Sequence, residues 1–259
     1  MKTYFSGALA EIFGGSGYRT VGYYKNESDS VAESVRNMTV RVAEISGMNA
    51  DSHVLDLGCG QGIPALDIAF NIGCSIVGVD LSECQIDMAN QSAELYRREK
   101  KPDLKSEFYV ASYFELPEAV TSQNFTHVMM QTSMFYAHHR MDEILSIISK
   151  VLRQGGILVT TDLYKGSESD SPDLSKFLEI NFLPALLSLD EMKAALMRNG
   201  FEYSGGENLD NHCIKSSADK AEKIVQDNIP CPSLLLFRLK EQLVKNGEMS
   251  FQIVMAKKM

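Results

Sequence analysis

The stretch Val54-Leu55-Asp56-Leu57-Gly58-Cys59-Gly60-Gln61-Gly62 decides the fold. An apolar, β-prone run, His53 to Gly58, passes straight into glycines, and Ile63 to Asn71 continues as a helix. Glycine suits a turn where a ligand lies against the main chain, because no Cβ intrudes and positive φ is available. The same glycines would also serve an ordinary tight strand–helix turn. The second strand, Ser75 to Asp80, adds a further feature. Asp80 lies about 20 residues beyond the glycines, where a carboxylate can bind both hydroxyls of a ribose. Its plainer reading is a residue beside the N-cap candidate Ser82. With both elements in register on consecutive strands, a nucleoside-containing ligand is the better reading.

The glycines fall at 58, 60 and 62, a G-x-G-x-G pattern and not the G-x-G-x-x-G of a pyrophosphate-binding turn. Asp56 sits inside the motif; its carboxylate would repel a pyrophosphate but favour an ammonium or sulfonium group, directly or through water. That chemistry points away from dinucleotides and toward S-adenosylmethionine.

Outward from this unit, strands and helices alternate. A helix is expected from about Ser82 to Lys100, with further strands at Ser106 to Ser112, Thr126 to Gln131 and Ile157 to Leu163, the last after a helix from Glu143 to Leu152 closed by Gly155 and Gly156. Such alternation implies a parallel sheet, since parallel neighbours need a crossover. Lys165 to Leu187 breaks the rhythm with a polar, turn-rich stretch and then an apolar one, a candidate lid or substrate wall. A helix at Asp190 to Gly200, a strand at FEYSGG and a closing strand at Phe251 to Lys258 complete seven strands, the last expected as an antiparallel edge. Upstream, a short helix is expected over Thr3 to Phe13, an aromatic loop over Tyr18 to Asn26, and an amphipathic helix from Ser30 stopped by Gly47. The expected architecture is α/β: a doubly wound, mostly parallel seven-stranded sheet, residues 51–259, with an N-terminal helical cap over residues 1–50 and a lid insertion at 165–187.

Composition excludes several classes. The 259 residues are 44% hydrophobic and 23% charged, which fits a folded globular chain. No apolar run approaches the roughly 18 residues that span a bilayer, and Glu11 interrupts the opening apolar stretch, so a signal peptide is not expected. The net charge of −9, with no basic cluster longer than Arg98 to Lys101, argues against nucleic acid. Five widely spaced cysteines without a C-x-x-C pair read as free thiols of a reducing, cytoplasmic compartment. No metal is expected, because no His/Asp/Glu cluster has ligand spacing. The expected partner is a small-molecule substrate; homodimerisation is left open.

D-L-G-C-G-Q-G with V-G-V-D-L-S resembles the first two motifs of class I S-adenosylmethionine-dependent methyltransferases. Ile144 to Leu163 resembles their helix–turn–strand, often written "EI.RVLKPGG.L...D", and Leu189 to Leu209 their next helix and strand. The resemblance spans roughly Tyr18 to the C-terminus. Tyr18 to Ser46 is similar to the small-molecule branch, which includes natural-product O-methyltransferases and glycine and sarcosine N-methyltransferases. The resemblance implies that Gly58, Cys59 and Gly60 line the methionyl part of S-adenosylmethionine, Asp56 supports its amino group, Asp80 takes the ribose and Leu81 covers the adenine. Ser112, where the family often has Asp, would hold the adenine edge more weakly. Gln85, Tyr113 and Gln131, the last near the methyl-transfer position, complete the cofactor set. Phe125-Thr126 departs from the family's Phe-Asp at the start of that strand.

Methyl transfer mainly needs a nucleophile held about 3 Å from the sulfonium methyl. An oxygen acceptor gains from a base, and His138 and His139 follow the fourth strand where this branch often places a histidine, with His138 placed ahead of His139. Tyr136 could occupy the same slot, and both histidines could equally be solvated loop residues. His53 and His127 read as structural; His212 reads as lying in a polar loop, able to close on a substrate or simply exposed. Tyr23 and Tyr24 are lid candidates or aromatic anchors, and Phe177 and Phe182 are candidate pocket walls or parts of a plain amphipathic helix. The expected function is methylation of a hydroxyl or carboxyl oxygen of a metabolite or natural product. The alternatives are N-methylation of a small amine or amino acid, C-methylation, a dinucleotide-dependent oxidoreductase, or a non-catalytic cofactor-binding protein.

Overall fold

The structure, a computed structural model, describes residues 20–99, 101–167, 171–229 and 233–259. The helix expected at Thr3 to Phe13, together with Tyr18 and Cys231, lies outside the described residues. Seven strands form one sheet: β1 (His53–Leu57), β2 (Ser75–Asp80), β3 (Ser106–Val110), β4 (Phe125–Gln131), β5 (Leu152–Lys165), β6 (Phe201–Asn208) and β7 (Met249–Lys258). Their order is β3-β2-β1-β4-β5-β7-β6. β1 pairs in parallel with both β2 and β4, so the winding reverses direction at β1. A ligand crevice opens outside the carboxyl ends of strands at such a reversal.

The closing strand departs from expectation. β7 is antiparallel to its neighbours but lies between β5 and β6, which leaves β6 at the edge. The reason is in the side chains. Phe251, Ile253, Val254 and Ala256 of β7 are all buried, as suits a strand covered on both faces. β6, FEYSGGEN, is exposed over most of its length, and a polar, glycine-bearing strand is tolerated at an edge.

Helices cover both faces, as a two-sided apolar sheet requires. One face buries α1 (Val31–Ser46), α2 (Ile63–Ile72) and α3 (Glu83–Glu99) through residues such as Met38, Val42, Leu66, Ile86 and Ala93. The other buries α4 (Glu118–Thr121), α5 (Met141–Val151) and α7 (Leu189–Arg198) through Val120, Ile144, Ile148 and Met192. The helix ends are chemically marked. Ser30 and Glu33 form a capping box before α1, Ser188 and Glu191 another before α7, and Gly47 ends α1 in the left-handed region. In the insertion, α6 (Pro172–Ile180) buries Leu174 and Phe177, while Phe182 is exposed at a positive φ of 56°.

Two further helices, α8 (Asp210–Gln226) and α9 (Ser233–Lys245), lie in the stretch between β6 and β7, where the sequence reading places no helix. The inward face of α8 carries Ser216, Ser217 and Lys220 alongside Cys213, Ala221 and Ile224. Polar side chains at buried positions erase the apolar periodicity that marks a helix. α8 packs on α1 and α9, and α9 packs on α6.

Gly78 is fixed by packing. A Cβ there would lie 2.4 Å from Phe108 Cδ1 and 2.8 Å from Cys59 Sγ. Gly78→Ala is expected to lower stability by about 1–3 kcal/mol through overpacking, read as a reduced Tm; an unchanged Tm would contradict this packing.

Candidate active site

The turn after β1 is wound around the end of β2. Gly58 and Cys59 both donate their N–H to Val79 O, at 2.8 and 3.1 Å. Gly58, Gly60 and Gly62 have φ of 86°, 55° and 73°, values that favour glycine. A Cβ on Gly58 would also meet Ser133 Cβ at 2.7 Å. Asp80 locks the turn: Oδ2 accepts from Gly60 N–H and Oδ1 from Ser82 N–H, each at 2.9 Å. Each carboxylate oxygen keeps a second acceptor direction, enough for two ribose hydroxyls.

Beneath this turn Asp56 is buried, and its carboxyl is pushed up to about 8 by burial and by neighbouring Asp80. The buried Cys59 thiol is raised by the same burial and by both carboxylates. Gln85 Oε1 and Gln131 Oε1 are buried without hydrogen-bond partners. Such groups are ordinarily satisfied, so these mark where a polar ligand completes the structure. The glycine cradle and these acceptors fit an adenosyl sulfonium amino acid. Leu81, 75% exposed at the rim, offers the apolar cover expected for an adenine. The Ser112 hydroxyl oxygen accepts from Phe114 N–H at 3.1 Å, so one of its acceptor directions serves its own turn.

The second half of the site is the segment after β4. Thr132 has a φ of 54° and leads through Ser133, whose hydroxyl donates to Leu57 O at 2.8 Å, into a 3₁₀ helix, Met134–Arg140. Asp162, near the end of β5, organises this helix. It is fully buried, accepts from Phe135 N–H and from Leu163 N–H, both at 3.0 Å, and its carboxyl is pushed up to about 8 by burial. The sequence reading assigns Asp162 no role, although it stands next to last in the run ILVTTDL, at the position of the Asp in the resembled pattern.

The 3₁₀ period of three sorts the side chains of this helix. Phe135 and His138 are buried; Tyr136 and His139 share the exposed face. His138 Nδ1 accepts from Leu187 N–H at 3.0 Å and its ring packs against Tyr164. The ring proton therefore sits on Nε2, which is buried without a partner, and burial pulls the group down to about 4. The lone pair a base would use is thus engaged by the backbone. The Tyr113 phenol is pushed up to about 12 by burial, then by Asp162, Tyr136 and Asp80, which places it between the two halves of the site.

Other candidates fall elsewhere. Phe177 is in the core, with Leu183 and Leu186 beside it. His212 is on α8 and not in a loop: it is stacked on Tyr23 at 4.3 Å, and its Nδ1 accepts from Tyr24 N–H at 3.0 Å. Tyr23 also donates to Glu207 at 3.1 Å. The two tyrosine rings thus pack against α8 and the end of β6. His53, between Ser75 and Gln123, and His127, between Thr126 and Ser46 O, are structural as expected.

The family described as a methyltransferase domain matches residues 48–228. The chain belongs to it. It is an S-adenosylmethionine-dependent small-molecule methyltransferase. The 27-O-demethylrifamycin SV methyltransferase of Amycolatopsis mediterranei (strain S699) is 28% identical over 207 residues, covering 78% of this chain and 73% of that protein. An O-methyltransferase of Penicillium expansum is 31% identical over 206 residues, covering 76% of this chain and 69% of its own. In fold, the chain is similar to the cyclopropane synthase MmaA2 of Mycobacterium tuberculosis, with a TM-score of 0.82 at 14% identity over 98% of this chain and 95% of that one. A geranyl diphosphate methyltransferase solved in complex with SAM gives 0.78 at 16% identity, over 95% and 100% of the two chains. Among the described residues, no helix is long and apolar enough to cross a membrane.

Asp80→Ala removes the acceptor of two backbone N–H groups and the candidate acceptor of the ribose. It is expected to weaken S-adenosylhomocysteine binding by about ten- to a hundredfold in calorimetry, and undiminished affinity would refute the assignment. Asp162 gives a pH signature. Its folded-state carboxyl keeps a proton up to about pH 8, whereas the unfolded chain ionises near pH 4. Its contribution to stability is therefore full below about pH 4 and lost as pH rises to about 8. Asp162→Asn is expected to flatten the decline of Tm between about pH 6.5 and 8, above the range in which His138 titrates.

Proposed function

We propose that the enzyme methylates a hydroxyl oxygen of a neutral, partly apolar metabolite. The carrying observation is that Asp162 and His138, buried against the β4 turn, hold their neutral forms at pH 7: Asp162 up at about 8 and His138 down at about 4. Desolvation is the leading cause in each case. Surroundings that strip charge from carboxyl and imidazole alike penalise an ammonium acceptor and suit a neutral alcohol or phenol. The relatives from Amycolatopsis and Penicillium, both named for methylation at oxygen, support the same reading.

The bound cofactor supplies an activated methyl group, and the chain's residues bind, orient and handle the proton. Asp80 and the glycine turn fix the nucleoside, and Gln131 faces the methionyl end. Asp162 holds the 3₁₀ helix so that Tyr136 and His139 project together. We assign His139 as the group that takes the acceptor proton and Tyr136 as its orienting neighbour, with His138 holding the helix to Leu187. Tyr23, Tyr24 and Phe182 are assigned to the surrounding cover.

A second reading is C-methylation. It draws on the same uncharged surroundings and on the yeast sterol 24-C-methyltransferase, 28% identical over 201 residues; this chain spans 50% of that protein.

The test is incubation with methyl-deuterated S-adenosylmethionine and a mixed panel of phenols, alcohols, sterols and amines. Label on oxygen is expected, and label found chiefly on nitrogen or carbon overturns the reading. His139→Ala is expected to lower kcat by about a hundredfold at neutral pH while leaving S-adenosylhomocysteine affinity intact; an unchanged kcat removes His139 from the mechanism.

A further inference from the structure

The segment Thr20–Tyr24 and helix α8 meet through a matched periodicity. Tyr24 N–H donates to His212 Nδ1 at 3.0 Å, Gly22 N–H to Ser216 Oγ at 3.0 Å, and the Lys220 ammonium donates to Thr20 O at 2.7 Å. Every second residue of an extended chain is thus read by every fourth residue of a helix, along one face of each. On this side, side chains and not a neighbouring strand satisfy the backbone. On the opposite side Tyr23 N–H donates to Ser34 O of α1 at 2.7 Å. Gly22 is squeezed between the two helices: a Cβ there would lie 2.1 Å from Ser34 Oγ and 2.6 Å from Ser34 Cβ.

The far end of the segment reaches the active site. Thr132 Oγ donates to Thr20 Oγ at 3.2 Å, and Thr132 directly follows Gln131 and precedes Ser133, the residue that packs against Gly58. Val21 is buried in the core beside this contact. Ser216 and Lys220 are 1% and 2% exposed, a burial of polar side chains on α8 that core packing alone does not call for.

We propose that His212, Ser216 and Lys220 are positioning residues that clamp Thr20–Tyr24 as a strap across the methionyl end of the cofactor site. The strap's main chain, more than the rings of Tyr23 and Tyr24, closes the crevice. Cofactor exchange then requires the strap to unzip from α8. This holds whichever atom the enzyme methylates.

The test uses the full chain and S-adenosylhomocysteine as probe. Ser216→Ala deletes one buried oxygen; Lys220→Met keeps the bulk of the side chain and removes the donor. Each is expected to speed S-adenosylhomocysteine dissociation in stopped flow by about five- to tenfold. Each should also raise hydrogen exchange at the Gly22 and Tyr24 amides, with exchange in β1 and β4 unchanged. Ser216→Thr, which keeps the hydroxyl, should restore the slow dissociation. Faster amide exchange with unaltered dissociation would show an anchored segment that covers nothing and overturn the proposal. So would rapid exchange at Gly22 and Tyr24 in the wild-type protein. Should Lys220→Met fail to fold, the Ser216 pair of variants decides alone.

Discussion

The hydrogen bond from Gly60 N–H to Asp80 joins the two strand ends that form the candidate cofactor site. It exists because the chain between β1 and α2 can fold back over β2, and that needs left-handed backbone at Gly58, Gly60 and Gly62. Once the turn lies against β2, Val79 O collects two of its N–H groups and Asp80 a third. Packing seals the same place: Phe108 and Cys59 fill the space that a side chain at Gly78 would take. A cofactor cradle and a well-packed sheet are thus one construction.

A second constraint is desolvation. Asp56 and Asp162 are buried near the carboxyl ends of β1 and β5, where water cannot stabilise their charge. Asp162 is nonetheless held by backbone N–H groups, so it shapes the β4 segment through hydrogen bonds without placing a strong field over it. The same dryness keeps His138 neutral. Preorganised but uncharged surroundings suit a reaction whose electrophile brings its own positive charge.

The parts legible in the sequence were those with local signatures. The glycine run and Asp80 mark the turn, Ser30 and Gly47 bound α1, and all seven strands lie where composition places them along the chain, while their order in the sheet is not written there. The remaining features depend on tertiary context. β7 looked like an edge because chain order gives no hint that it inserts between β5 and β6. α8 was invisible because its buried face carries serines and a lysine. His138 and His139 are adjacent in sequence, yet a 3₁₀ period turns one inward and the other out, and a loop reading cannot supply that period. Asp162 reads in the sequence only as a polar residue near the end of a strand; its hold on the 3₁₀ helix comes through the N–H of Phe135, 27 residues away.

The inserted position of β7 has a consequence for how the molecule assembles. β6 pairs only with β7, and the outer side of β5 is closed only by β7. Residues 201–208 therefore reach the sheet only through residues 249–258, whether β7 docks on β5 first or a β6–β7 pair docks together. Until β7 docks, an apolar flank of β5 stays open, a template for mispairing with other chains. The half of the sheet beyond β5 thus rests on the strand pairing with the greatest separation along the chain, the kind of contact that slows folding.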